Sequence, residues 1–196
     1  MLSRLASITL LFAAGLSATP LFFVANLDGP SESPSNASPG TGFTFVTIDT
    51  TAHTLQVQVT FQGLVAGNTA AHIHVINGPG DANTADTLGP VATTTPTFPG
   101  FPTGTTAGTY NNTLFTDQAS SYNPAFVTAA GSLAGAEAAL FAGITEGRAY
   151  LNIHSTTFPG GEIRGFLVAV PEHATYALAI AGLGMLWIFR RKRIAQ

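Results

Sequence analysis

Residues 54–61 read Thr-Leu-Gln-Val-Gln-Val-Thr-Phe and alternate without a break. Leu55, Val57, Val59 and Phe61 fall on one face and Thr54, Gln56, Gln58 and Thr60 on the other, the period of two that marks a strand with one face buried. Upstream, Gly42–Asp49 supplies Phe43, Phe45, Val46 and Ile48, and Asp49-Thr50-Thr51-Ala52 between the two runs has the length of a hairpin loop. Leu21–Asn26, Ala71–Ile76, Gly147–His154 and Glu162–Ala169 read in the same way, and 106–116 reads as a further strand. Only Leu133–Ile144 reads as a helix, with Ser132 placed to cap it. Short strands parted by Gly, Pro and Asn turns predict an all-β domain over residues 20–170: an antiparallel β-sandwich, Greek-key or immunoglobulin-like, with one short helix.

Inside that domain, residues 93–131 read as a loop-rich insert leading into the helix. Thr93–Pro102 carries three prolines, which lack amide donors and constrain the residues before them, so a surface loop is expected there. Asp117–Thr128, with Tyr122-Asn123-Pro124, is expected to be a second irregular excursion.

The chain has 196 residues, 9% of them charged, with 21 Gly, 12 Pro and no Cys. Without Cys, zinc ribbons, iron–sulfur clusters, thiol catalysis and disulfide stapling are excluded. Charge is unevenly placed: Arg4 stands near one end, Arg190, Arg191, Lys192 and Arg193 near the other, and the middle has only Arg148 and Arg164 among nine acids. Nucleic-acid binding needs the opposite balance.

The ends read as addresses. Residues 1–19 combine Arg4, an apolar run from Leu5 to Leu16 and then small residues, the layout of a secretory signal peptide. Residues 174–189 are uncharged, with Tyr176 and Trp187 near the ends and the basic cluster directly after, the pattern of a short transmembrane helix whose basic side stays in the cytoplasm. Val170-Pro171-Glu172, an apolar helix containing Gly182-Leu183-Gly184, and the closing Arg190-Arg191-Lys192-Arg193 resemble a PEP-CTERM sorting signal, with His173 where the usual tripeptide has Pro. The resemblance implies an exosortase-type processing enzyme that cuts near Pro171-Glu172. It also implies a precursor anchored in the inner membrane of a Gram-negative bacterium and a product delivered to the cell surface or extracellular matrix.

Strand periodicity sets His72 and His74 on one face, and Tyr150, Asn152 and His154 on one face of their own strand. Two readings are open: imidazoles bonded to loop backbone, or His72, His74 and His154 shared by one zinc or copper ion. His53, at a turn, and His173 have no evident partners. Glu162 and Arg164 lie two residues apart on one strand face, where they can pair or bind the same loop, and Gly160-Gly161 before them permits the positive φ of a tight connection. Pairing with acids is the expected role of both Arg148 and Arg164.

These strands resemble the CHRD domain, which is named for its occurrence in chordin and is found widely in secreted bacterial proteins. The matching residues are Val57–Leu64 leading into Ala71-His72-Ile73-His74, then Gly89-Pro90-Val91, then Tyr150-Leu151-Asn152-Ile153-His154 and Phe158-Pro159-Gly160-Gly161-Glu162-Ile163-Arg164-Gly165. The resemblance spans about residues 21–170 and implies a β-sandwich in an extracellular setting, with no established activity for bacterial members. Gly63-Leu64, Ala71-His72-Ile73-His74 and Gly78-Pro79-Gly80-Asp81 are also similar to the copper-ligand segment of Cu/Zn superoxide dismutase. That enzyme uses further histidines and a disulfide, and here no His stands between His74 and His154. Two functions are therefore expected in competition. One is a non-enzymatic surface protein that binds a protein or exopolysaccharide partner; the other is a metal-binding sandwich.

Overall fold

The computed structural model describes residues 19–81 and 87–171. Apart from Thr19, the expected leader lies outside these residues, as do Glu172, the apolar run 174–189 and the basic cluster. Among the described residues, no helix is long and apolar enough to cross a membrane.

Among the described residues eight strands form: β1 Leu21–Asp28, β2 Thr41–Asp49, β3 Thr54–Gln62, β4 Asn68–Val75, β5 Gly108–Phe115, β6 Ala149–Ser155, β7 Ile163–Phe166 and β8 Val168–Ala169. They pair antiparallel in one continuous sheet of order β4-β6-β7-β1-β2-β3-β5, with β8 on β1. The alternation at 54–61 is realised directly: Leu55 and Val57 are fully buried, and Val59 and Phe61 nearly so. The expected antiparallel all-β class is observed, but its two layers come from one curled sheet. The connection Gly63–Gly67 shows why. From Gln62 to Asn68 it reaches at most about 21 Å, whereas β3 and β4 stand five strand spacings apart, about 24 Å in a flat sheet. Curling brings Ala71, Ile73, Val75, Leu151 and Ile153 of one wing into a single core with Val46, Ile48, Leu55 and Val57 of the other.

Two expectations need correction. Thr93–Pro102 is no simple surface loop, because the free edge of β4 needs partners and this segment supplies them. Thr93 Oγ1 accepts from Ile73 N (2.9 Å) and Thr97 Oγ1 from Ala71 N (3.0 Å), and Phe98 N donates to Ala71 O (3.2 Å); Ala92 and Gly104 on either side add bonds to Ile73 O and Asn68 O. Phe98 and Phe101 then fill the opening between the wings, against Tyr110 at 5.7 and 5.1 Å between ring centroids. The excursion at 117–128 contains a 3-10 turn and most of α1, Pro124–Ala129, so the described residues hold two α-helices. Asn123-Pro124 is the start signal: the Asn123 side chain accepts from Ala125 N, and Pro sits in the first turn where an amide is dispensable. The predicted helix is α2, Leu133–Thr145, capped by Ser132 through Gly135 N as expected. It buries Ala136, Leu140 and Ile144.

Candidate metal centre

In the register of β4 with β6, His72 lies opposite Asn152, His74 opposite Tyr150 and Ala70 opposite His154. Ala71, Ile73, Val75, Leu151 and Ile153 take the core side, so the period of two sends all three histidines to the other face of the sheet. That face would be wet were it bare. Instead, the segments around Gly89–Pro96 and Pro159–Gly161 fold over it, leaving His72 at 7% and His74 at 8% exposure.

The covering segments contribute backbone carbonyls. His72 Nε2 lies 2.6 Å from Pro96 O, His74 Nδ1 2.8 Å from Gly89 O and His154 Nδ1 2.9 Å from Pro159 O. A carbonyl only accepts, so each of these nitrogens carries the proton of a neutral ring, and the opposite nitrogen keeps its lone pair. Those opposite nitrogens, His72 Nδ1, His74 Nε2 and His154 Nε2, are buried and have no hydrogen-bond partner. One ligand nitrogen from each ring lies within 4.8 Å of the others. Two ligands at 2.0–2.1 Å from a tetrahedral zinc stand about 3.3 Å apart, so closure on an ion requires roughly an ångström of ring movement. The reading of imidazoles bonded to loop backbone is thus met, and the opposite edges of the same rings are left with lone pairs in one cluster.

Burial is the main influence on the protonation of all three. It pushes His72 and His74 down to about 4, against the opposing pull of the Pro96 and Gly89 carbonyls. It lowers His154 as well. Neutral imidazoles are the ligating form.

A polar shell backs the rings. Tyr150 lies flat against His74, with 4.8 Å between centroids and 9° between planes. The Arg164 guanidinium sits 4.9 Å over the Tyr150 ring and donates to Thr87 O (2.7 Å) and to Ser31 O. Asn152, between His72 and Arg164 in register, is buried and leaves Oδ1 unpaired. Two glycines let the covering loops approach. A Cβ on Gly89 would stand 2.3 Å from Val75 O, and Gly161, at φ 135°, would place one 2.5 Å from the Glu32 carboxylate.

Of the two expectations for Glu162 and Arg164, pairing with each other or binding the same loop, the second is observed, since both reach the 29–40 segment, Glu162 at Ser38 and Arg164 at Ser31. Glu162 Oε1 accepts from Ser38 Oγ (2.6 Å) and Val65 N (2.7 Å), tying the 29–40 and 63–67 segments to the start of β7. The acid beside Arg164 is Glu32, at 3.8 Å. Arg148 pairs with Glu146 at 2.6 Å, so both arginines do meet acids. His53 also has a partner that its sequence context hid: Nδ1 lies 2.9 Å from Glu137 Oε1 on α2. Among the described residues, these three histidines form the cluster of ligating type. The sorting residues past Pro171 lie outside the described chain.

No curated protein and no solved structure matches the chain significantly. The family model described as CHRD domain matches residues 23–167, from β1 to the turn between β7 and β8 and including all three histidines. With most of its length matched, the chain belongs to the CHRD domain family.

Proposed function

We propose that this CHRD domain is an exported metal-binding module whose sheet holds one zinc or copper ion on His72, His74 and His154. The observation that carries the reading is the set of three buried imidazole nitrogens, each unprotonated because its ring partner donates to a carbonyl and each without a hydrogen-bond partner, His74 having only the Asn152 amide nearby. Leaving three such acceptors buried and unpaired costs about 1–3 kcal/mol each, an expense that ligation removes. A purely imidazole donor set suits zinc and copper and disfavours calcium and magnesium. The carbonyls fix ring orientation in the way that outer-shell acceptors do at metal sites. The extracellular setting suggested by the family accords with export. The signal-peptide-like start and the PEP-CTERM-like end support an inner-membrane precursor, processed by an exosortase-type enzyme and released to the surface.

Calorimetric titration of the EDTA-treated full-length protein with zinc and with copper tests the reading. One equivalent of heat in the wild type, lost in His74→Ala, is expected; equal heats in both proteins, or none in either, would overturn it.

A further inference from the structure

The opposite wing of the sheet presents a second surface. On β1, β2, β3 and β5 the outward side chains form cross-strand rows: Val24, Phe45, Gln58 and Asn111 in one, Asn26, Phe43, Thr60 and Thr109 in the next. Phe43 is 43% exposed. It stands between two shallow grooves of about 290 and 300 Å³, one toward Gln62 and the other toward Gln58 and Asn111. Phe22 and Phe45 stack beside it at 5.8 Å. No charge interrupts these rows. The acids of β1 and β2 stand at the strand ends, where Asp28 holds Ser31 N and Asp49 holds Thr51 N and Ala52 N.

We infer that this face is a binding platform for a neutral polysaccharide chain, built on Phe43 and Phe45 with Gln58, Thr60 and Asn111 around them. A pyranose ring has an apolar face of positively polarised C–H groups, which packs on the negative face of an aromatic ring. Its rim of hydroxyls both donates and accepts, as side-chain amides and threonine hydroxyls do. An anionic polymer finds no cation on these rows. Aliphatic bulk is confined to one border of the face, where Val24 pairs with the exposed Val168 of β8. Exposed aromatic surface that a soluble domain does not bury generally marks a binding site. The platform is independent of the histidines, which lie on the other wing.

Affinity electrophoresis of the full-length protein through gels containing hydroxyethylcellulose, mixed-linkage glucan, galactomannan or alginate tests the inference. Retardation by at least one of the neutral polymers and not by alginate is expected. Phe43→Ala should weaken it at least about tenfold, and Gln58→Ala should weaken it less. EDTA should change nothing, which separates this site from the metal site. Because Phe43 is exposed, its variant should keep the wild-type circular dichroism and melting temperature. Absence of retardation in every neutral gel, equal retardation by alginate, or unchanged retardation in Phe43→Ala would overturn the inference. So would a lower sedimentation coefficient in Phe43→Ala, which would make the face a contact between copies of the chain.

Discussion

The imidazole of His74 rests on the phenol ring of Tyr150 with only 9° between their planes, and the Arg164 guanidinium covers that same phenol ring. Tyr150 therefore links His74 to the buried Glu32–Arg164 pair, and its hydroxyl accepts from Gly89 N, the loop residue whose carbonyl holds His74.

Tyr150 is expected to act through the ring. Tyr150→Phe retains the stack and should hold zinc affinity within severalfold, at a stability cost of about 1 kcal/mol for the lost hydrogen bond. Tyr150→Ala removes the stack and opens a cavity, which should cost about 3–5 kcal/mol and lower metal affinity about 10–100-fold. Chemical denaturation combined with competitive metal titration checks both variants.

Glu32 should make stability depend on pH. Burial lifts its pKa from 4.5 to about 7, against the pull of Arg164. Between those values the folded state binds more protons than the unfolded one, so this contribution is present below pH 4.5 and lost as pH rises through 7. Glu32→Gln cannot titrate. The stability difference between variant and wild type should move in the variant's favour by up to about 3 kcal/mol from pH 4.5 to pH 8. Parallel stability curves in urea at the two pH values would contradict this.

Gly161 should tolerate no side chain. At φ 135°, a conformation reached almost only by glycine, and with the Glu32 carboxylate 2.5 Å from the position of a Cβ, Gly161→Ala is expected to cost about 2–4 kcal/mol. Because the same turn presents Pro159 O to His154, metal affinity should fall together with thermal stability.

The histidines should separate in an NMR titration of the metal-free protein. His53 should titrate above its ordinary value, because it bonds to Glu137, while His72 and His74 stay neutral down to about pH 4. Long-range nitrogen spectra should show the proton on Nε2 of His72 and on Nδ1 of His74 and His154. A common tautomer and pKa for all four would contradict the described hydrogen bonds.

The strands and the direction of the three histidines were legible because a period of two is a local property: 54–61, 71–76 and 147–154 state their faces without reference to the rest of the chain. What completes the site was not legible. Gly89, Pro96 and Pro159 act through backbone carbonyls, which any residue carries, and Glu32 reaches Arg164 across 132 positions of sequence. The single curled sheet is likewise set by which strands pair, β4 with β6 and β3 with β5, and periodicity is silent on pairing. The proline-rich 93–102 segment misleads for a related reason: proline cannot donate to a ladder, yet its neighbours Thr93, Thr97 and Phe98 bond to the edge of β4. Asn123-Pro124 was the one missed signal that lay in plain local view.

The central claim is that three lone pairs, on His72 Nδ1, His74 Nε2 and His154 Nε2, converge on one ion. X-ray absorption at the zinc edge, on the full-length protein loaded with one equivalent and desalted, tests it most directly. The account predicts three imidazole nitrogens at about 2.0–2.1 Å, falling to two in His154→Ala. Zinc lost on desalting, or a bound ion with fewer than three imidazoles in the wild type, would contradict it.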